Sequence, residues 1–264
     1  MKFNELEDKM RKFEFYHTQT VLQDSWFVVR LDGRGFSKLT KKYFEKPFDE
    51  KMTTLMTGVT SSLVMDFQAD YGYTESDEIS LLFRPSWNMY ERRVEKIISL
   101  MASGATSTFV SKSGIKAQFD GRIVVIPSHA SLVDYFRWRQ EDANRNGLNT
   151  YAHWNLVKSG LTEGKASSEL EHCNFKQKLN RMFDMKLDYF SVPSKFRYGV
   201  GFVWEHYVKE GFDPKKNEKV MTDRRRVSPV DPLVTGDDYG TFILNLITTI
   251  EAQPQKLEKA KDPA

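Results

Sequence analysis

The chain has 264 residues, with 39 Lys and Arg against 36 Asp and Glu, a formal net charge of +3 and 40% hydrophobic residues. This is the composition of a globular protein long enough to bury a sizeable core, as one large domain or two small ones. No apolar run reaches the roughly 18 residues of a membrane span. Residues 1–8 lack a hydrophobic signal core, and the lone Cys173 excludes an internal disulfide or a thiolate zinc cluster, so a cytoplasmic protein without a membrane partner is expected.

In chain order, residues 1–24 read as a polar, helical lead-in. Trp26-Phe27-Val28-Val29-Arg30-Leu31 reads as a buried strand ending in the turn Asp32-Gly33-Arg34-Gly35. Pro47 opens a helix with Asp49 and Glu50 in its first turn, and Met52, Met56, Val59, Leu63 and Phe67 form its core-facing stripe. Strands at Ala69–Tyr73 and Ile79–Phe83 flank Thr74-Glu75-Ser76-Asp77-Glu78 and predict a hairpin. A helix from Met89 to about Ser103 follows, then a strand at Ile123–Ile126 that Pro127 stops.

The order strand, helix, strand, strand, helix, strand predicts a split βαβ, an α+β fold with an antiparallel sheet and helices on one face. Residues 1–130 would be this domain, and 131–264 a mainly helical accessory region. Ser131 is expected to cap a helix over Leu132–Glu141, with another near Thr150–Lys158. Phe196–Trp204 and Thr241–Ile250 suit either strand or helix, residues 209–235 read as a charged loop, and the tail from Glu251 as frayed. Trp204 and the aromatics near Tyr207 fit either a partner surface or the core.

That strand order brings Asp32, at the end of the first strand, toward Asp77 and Glu78 in the hairpin turn. Magnesium takes oxygen ligands and commonly uses one or two carboxylates plus substrate phosphates, and a metal pair suits in-line phosphoryl transfer. Gly33, without a side chain, could offer its carbonyl. Asp-Gly and Ser-Asp-Glu are equally ordinary turn and cap sequences. Five histidines (His17, His129, His153, His172, His206) lack zinc-motif spacing, and Gly160-Leu161-Thr162-Glu163-Gly164-Lys165 is one residue short of a phosphate loop. Basic clusters at Lys41-Lys42 with Lys46, at Arg92-Arg93 with Lys96, and at Lys215-Lys216, Lys219 and Arg224–Arg226 suit either phosphates or solvent.

Arg30-Leu31-Asp32-Gly33-Arg34-Gly35-Phe36-Ser37-Lys38, Glu45-Lys46-Pro47-Phe48-Asp49 and Ser76-Asp77-Glu78 resemble the tRNA(His) guanylyltransferase superfamily. So do residues 119–128, Trp138-Arg139-Gln140-Glu141-Asp142 and Gly160-Leu161-Thr162, in the same order over about residues 5–205. The resemblance implies a polymerase-palm-like domain that adds nucleotides to the 5′ end of RNA in the 3′–5′ direction. It implies two Mg2+ ions on Asp32, Asp77 and the Gly33 carbonyl, ATP and GTP or another nucleoside triphosphate as substrates, a tRNA or tRNA-like partner, and a homotetramer. Lys46 and Asp49 match positions used in activating the 5′ end. Arg30, Arg34, Gly35, Phe36, Ser37, Ser76, Glu78, Arg92, Arg93, Lys96 and Asn149 become candidate nucleotide or RNA contacts. The stretch Asp142-Ala143-Asn144-Arg145-Asn146-Gly147-Leu148-Asn149-Thr150 lacks the histidine and tyrosine of true tRNA(His) guanylyltransferases. That departure is similar to the guanylyltransferase-like branch, which repairs 5′ ends against a template. A single non-templated guanosine addition is the alternative. A palm-type nucleotide cyclase and a non-catalytic RNA-binding module are the rivals.

Overall fold

An uninterrupted apolar strand requires cover on both of its sides, and β1 (Trp26–Gly33) has it. The structure, a computed structural model, describes residues 3–14, 18–213 and 217–252. Alternation along β1 sends Phe27, Val29 and Leu31 into one core, while Trp26 and Val28 enter a second core on the opposite face. The first core is closed by α3 (Glu50–Asp66) and α4 (Val94–Ser113), the two crossover helices, on one face as expected. The second is closed by α5 (His129–Lys158) and α9 (Asp237–Ala252), which settles Thr241–Ile250 as helix.

The sheet has six antiparallel strands in the order β4-β1-β3-β2-β5-β6. Its first four, β4 (Phe119–Ile126), β1, β3 (Glu78–Phe83) and β2 (Tyr71–Glu75), are the split βαβ. The hairpin β5 (Val200–Asp213) and β6 (Glu218–Val230) adds to the β2 edge. The expectation of a loop over 209–235 is thereby corrected. Charged side chains there lie on strands whose faces are mostly wet, so the segment lacks the apolar alternation that marks a half-buried strand. Cross-strand pairs such as Glu205–Arg226 and Lys219–Glu210 absorb the charge. Trp204 packs against the first core and donates its indole N–H to the Ala69 carbonyl. Lys215, Lys216, His17 and the tail from residue 253 lie outside the described residues.

Three further boundaries move. The cap of α5 is Ser128, whose hydroxyl accepts from the Ser131 amide, and the two helices expected at 132–141 and 150–158 are one helix of 30 residues. Asp49 sits just before α3 as its cap. The helix expected from Met89 begins as a short turn at Met89–Arg92 before α4. The short helices α1 (Phe3–Arg11), α2 (Phe36–Tyr43), α6 (Glu163–Leu170), α7 (Phe175–Asp184) and α8 (Ser194–Tyr198) complete the described helices.

Arg92 is a fixture of this fold, which corrects its reading as a phosphate contact. Its guanidinium is fully buried against the Phe27 ring and donates to the carbonyls of Pro85, Trp87, Leu22 and Ser25. Arg92→Met should orphan several buried acceptors and cost about 3 kcal/mol or more, read as a lower urea midpoint. Turnover per folded molecule should stay intact, whereas a phosphate-contact role predicts the reverse.

Candidate active site

The β1–β3 register places Asp32 directly across from Glu78, and across β4 from Asp120. Asp77 occupies the turn between β2 and β3, so its carboxylate enters the field of Asp32. Burial, and then the Asp32 charge, push the Asp77 carboxyl up to about 6, against a weaker pull from the Ser76 hydroxyl. Two carboxylates held against their own repulsion in a partly buried place form a site that a hard cation relieves. Gly33 follows Asp32 in the chain, and a Cβ on it would overlap the Phe36 ring. Among the described residues no group of three or more His, Cys, Asp or Glu is placed to hold a metal. Asp32 and Asp77 offer two carboxylates, a pair that would suit Mg2+ completed by substrate phosphates.

Beside the carboxylates lies a pocket of about 300 Å³. Its walls include Ser37 at the start of α2, Lys46 and Asp49 from the loop before α3, Asn146, Thr150 and Trp154 on α5, and Lys195 and Phe196 on α8. Lys46 donates to the Thr40 hydroxyl at 2.7 Å and lies over the Trp154 ring. Burial lowers its pKa, opposed by the charges of Asp77 and Asp49. The Asp49 carboxylate is committed to backbone: one oxygen accepts from the Lys51 amide at 2.6 Å and the other from the Glu45 amide at 2.7 Å. Burial opposes its charge, but these donors and the Met52 amide hold the carboxyl below its usual value. Asp49 thus fixes the loop that aims Lys46. Gly147 has no room for a Cβ, which would lie 2.7 Å from the Tyr189 hydroxyl and 3.1 Å from the Phe196 carbonyl, so α8 can close the pocket against α5.

Behind the turn, Arg139 organises the remaining acids. It donates to both Glu78 oxygens at 2.7 and 2.6 Å and to Asp142 at 3.1 Å, and lies 3.7 Å from Glu75. Glu78 is thereby taken up by Arg139, with Arg30 at 3.9 Å. Burial, then the Glu78 charge, push the Glu75 carboxyl up to about 8. Arg30 and Arg139 both stack on Trp138.

Several expected contacts do not gather here. The Phe36 ring is buried against Phe109 and Phe119, so it forms pocket floor. Arg92, Arg93 and Lys96 lie at the opposite end of the sheet: the chain leaves β3 at Phe83, which pairs with Phe27, five residues or about 17 Å along β1 from Asp32. Asn149 is exposed and accepts from Lys178 on α7, because the phase of α5 turns Asn146 and Thr150 toward the pocket instead. Arg34 is exposed and bonded to Gln118. Arg139, Glu75, Asn146, Thr150, Trp154 and Lys195 were not singled out from sequence. The i, i+4 spacing of Asn146, Thr150 and Trp154 was the available signal for three of them.

A palm-like sheet with two acids at the end of β1 and in the β2–β3 turn, beside a pocket that presents Lys46 and Lys195, is the arrangement of a nucleotidyltransferase. The family model for tRNAHis guanylyltransferase matches residues 7–127, and the Thg1 C terminal domain matches residues 130–233. A tRNA(His) guanylyltransferase of Neurospora crassa is 33% identical over 201 residues, 70% of this chain and 69% of that protein. A probable tRNA(His) guanylyltransferase of Homo sapiens is 32% identical over 248 residues, 86% of this chain and 83% of that one. The solved bacterial tRNA(HIS) guanylyltransferase (Thg1)-like protein in complex with ATP superimposes with a TM-score of 0.73 at 23% identity, over 92% of this chain and 99% of that one. A complex of such a bacterial protein with GTP gives 0.68. The chain belongs to the tRNA(His) guanylyltransferase family, and its enzyme class is nucleotidyltransferase.

If Asp49 positions the Lys46 loop, Asp49→Asn, which keeps one of the two accepting oxygens, should retain more activity and stability than Asp49→Ala. Asp49→Ala should lose about 1–2 kcal/mol of stability in urea together with activity. Equal loss in both variants would instead assign the charge itself a chemical role.

Proposed function

We propose that the protein adds nucleotides to the 5′ end of RNA in the 3′–5′ direction, choosing each by pairing with the opposite strand, with tRNA or a tRNA-like RNA as substrate. The carrying observation is that Asp77, on the wall of a pocket that also presents Lys46 and Lys195, lies in the field of Asp32. Template dependence is supported by the missing histidine and tyrosine between Asp142 and Thr150. Substrate triphosphates are supported by the ATP and GTP complexes of the bacterial proteins of the same fold.

In this reading Asp32, Asp77 and the Gly33 carbonyl hold Mg2+, which supplies charge neutralisation for phosphoryl transfer when bound. Lys46 offers a cation to a triphosphate, and its partial burial strengthens that attraction. Amides in the first turn of α2, which have no carbonyl partner inside the helix, face anionic oxygens beyond Gly35 (φ +71°), and Ser37 adds a hydroxyl. Arg34 and Arg30 border this end of the sheet, and Ser76 orients Asp77. A 5′-monophosphate is first adenylylated by ATP, releasing pyrophosphate. The 3′-hydroxyl oxygen of the incoming triphosphate then bonds to that phosphorus as AMP leaves, and a 5′-triphosphate end skips the first step. Residues 1–130 carry this chemistry in our reading, and 131–264 are the accessory region. A homotetramer is supported by Val208, Phe212 and Met221, exposed on one face of the β5–β6 hairpin.

The test uses a tRNA transcript lacking its first nucleotide and bearing a labelled 5′-monophosphate, with Mg2+, ATP and each nucleoside triphosphate in turn. Addition of the complementary nucleotide alone is expected, with loss of at least 100-fold in Asp77→Asn and Asp32→Asn. Guanosine added whatever base stands opposite would select the single-guanosine reading. Nucleotide consumed without RNA would select a cyclase.

A further inference from the structure

On the other side of α5 from the nucleotide pocket lies an open cleft of about 530 Å³ between α5 and α7. Nothing derived above uses it. Its ends are marked by two exposed aromatic rings, Trp138 at 52% and Phe175 at 37% exposure. The Trp138 ring carries the Arg139 and Arg30 guanidiniums and an edge contact with Tyr135, and about half of its surface stays open to solvent. Charge in the cleft is balanced: Arg145 and Lys178 stand against Glu141 and Asp142. Both Asp142 oxygens are already occupied, by Arg139, Arg145 and Asn146. Exposed aromatic rings are what unpaired bases stack on, and Lys178, bonded to the uncharged Asn149, brings a cation that a phosphate can meet.

Side-chain contacts link the cleft to the catalytic end of the sheet. Trp138 carries Arg30 and Arg139 on its ring, and both reach Glu78, the cross-strand partner of Asp32. The two cavities are thus separated by one helix thickness, about 10 Å. In templated addition the strand opposite the growing 5′ end runs past the pocket, and any nucleotides beyond the templating base leave it unpaired.

We propose that this cleft receives the single-stranded 3′ overhang of the substrate RNA, with Trp138 and Phe175 as its base-stacking platforms. The assignment rests on the templated reading above for the presence of that overhang. It makes Trp138 a substrate-binding residue and the α5–α7 cleft a second RNA subsite.

The test compares hairpin RNAs recessed at the 5′ end that carry either one unpaired 3′ nucleotide, serving only as template, or four. The full chain should bind the four-nucleotide RNA about tenfold more tightly, within the range of stacking on one or two aromatic rings. 2-Aminopurine in the distal overhang should lose fluorescence on binding. Trp138→Ala should abolish both the preference and the quenching, while Trp138→Phe keeps them. Phe175→Ala, on α7, should lower the preference without relying on a change beside Glu78. Equal affinity for the two RNAs, or no quenching with the unaltered protein, would overturn the proposal. If both RNAs bind equally but are extended with the complementary nucleotide, the cleft assignment fails and the function stands. If the overhang is quenched but neither RNA is extended, the function fails and the cleft remains an RNA site.

Discussion

The pairing of β1 with β3 is the constraint on which the site depends. One register, Asp32 opposite Glu78, fixes the distance between the end of the first strand and the β2–β3 turn, and so the field that Asp77 feels. A slip of one residue would send Asp32 to the α3–α4 face and put Leu31 among the acids. The apolar residues on both sides of β1 hold that register, because Phe27, Val29 and Leu31 fit one core and Trp26 and Val28 the other. Core packing and catalytic geometry are therefore one requirement in this sheet.

The acids assembled at this end are balanced from a distance. Asp32, Glu75, Asp77, Glu78 and Asp142 converge where β1, the β2–β3 turn and α5 meet, and one guanidinium, Arg139, answers three of them. Its planar fork matches Glu78 with two hydrogen bonds and reaches Glu75 and Asp142 besides, but forms no ion pair with Asp32 or Asp77. The negative charge is thus concentrated on the side chain nearest the pocket, where a cation and triphosphates have use for it.

Much of this was legible in the sequence because it depends on short-range order. Two strands a few residues apart must pair, and the split βαβ order then returns the first strand to the hairpin, so Asp32 and Asp77 were found together. Arg92 was misread because sequence shows a cationic pair and cannot show the carbonyls of Pro85, Trp87, Leu22 and Ser25 that enclose it. Asn149 was misread because the phase of α5 follows from its being a single helix begun at Ser128. Divided at residue 141, the pattern gives no rotation for what comes after. Arg139 escaped notice because its partners Glu75 and Glu78 lie some 60 positions away and meet it only through tertiary packing.

The length of α5 has a mechanical meaning. Thirty residues make a rod of about 45 Å, sheathed by the sheet along one side and by α6, α7 and α8 toward its C-terminal end. Its N-terminal half is seated in the core beside Trp26 and Ile126, so it has little freedom to tilt. The pocket wall at Asn146 and Thr150 and the cleft wall at Trp138 and Arg145 are two sides of the same beam. A displacement of either side therefore moves both.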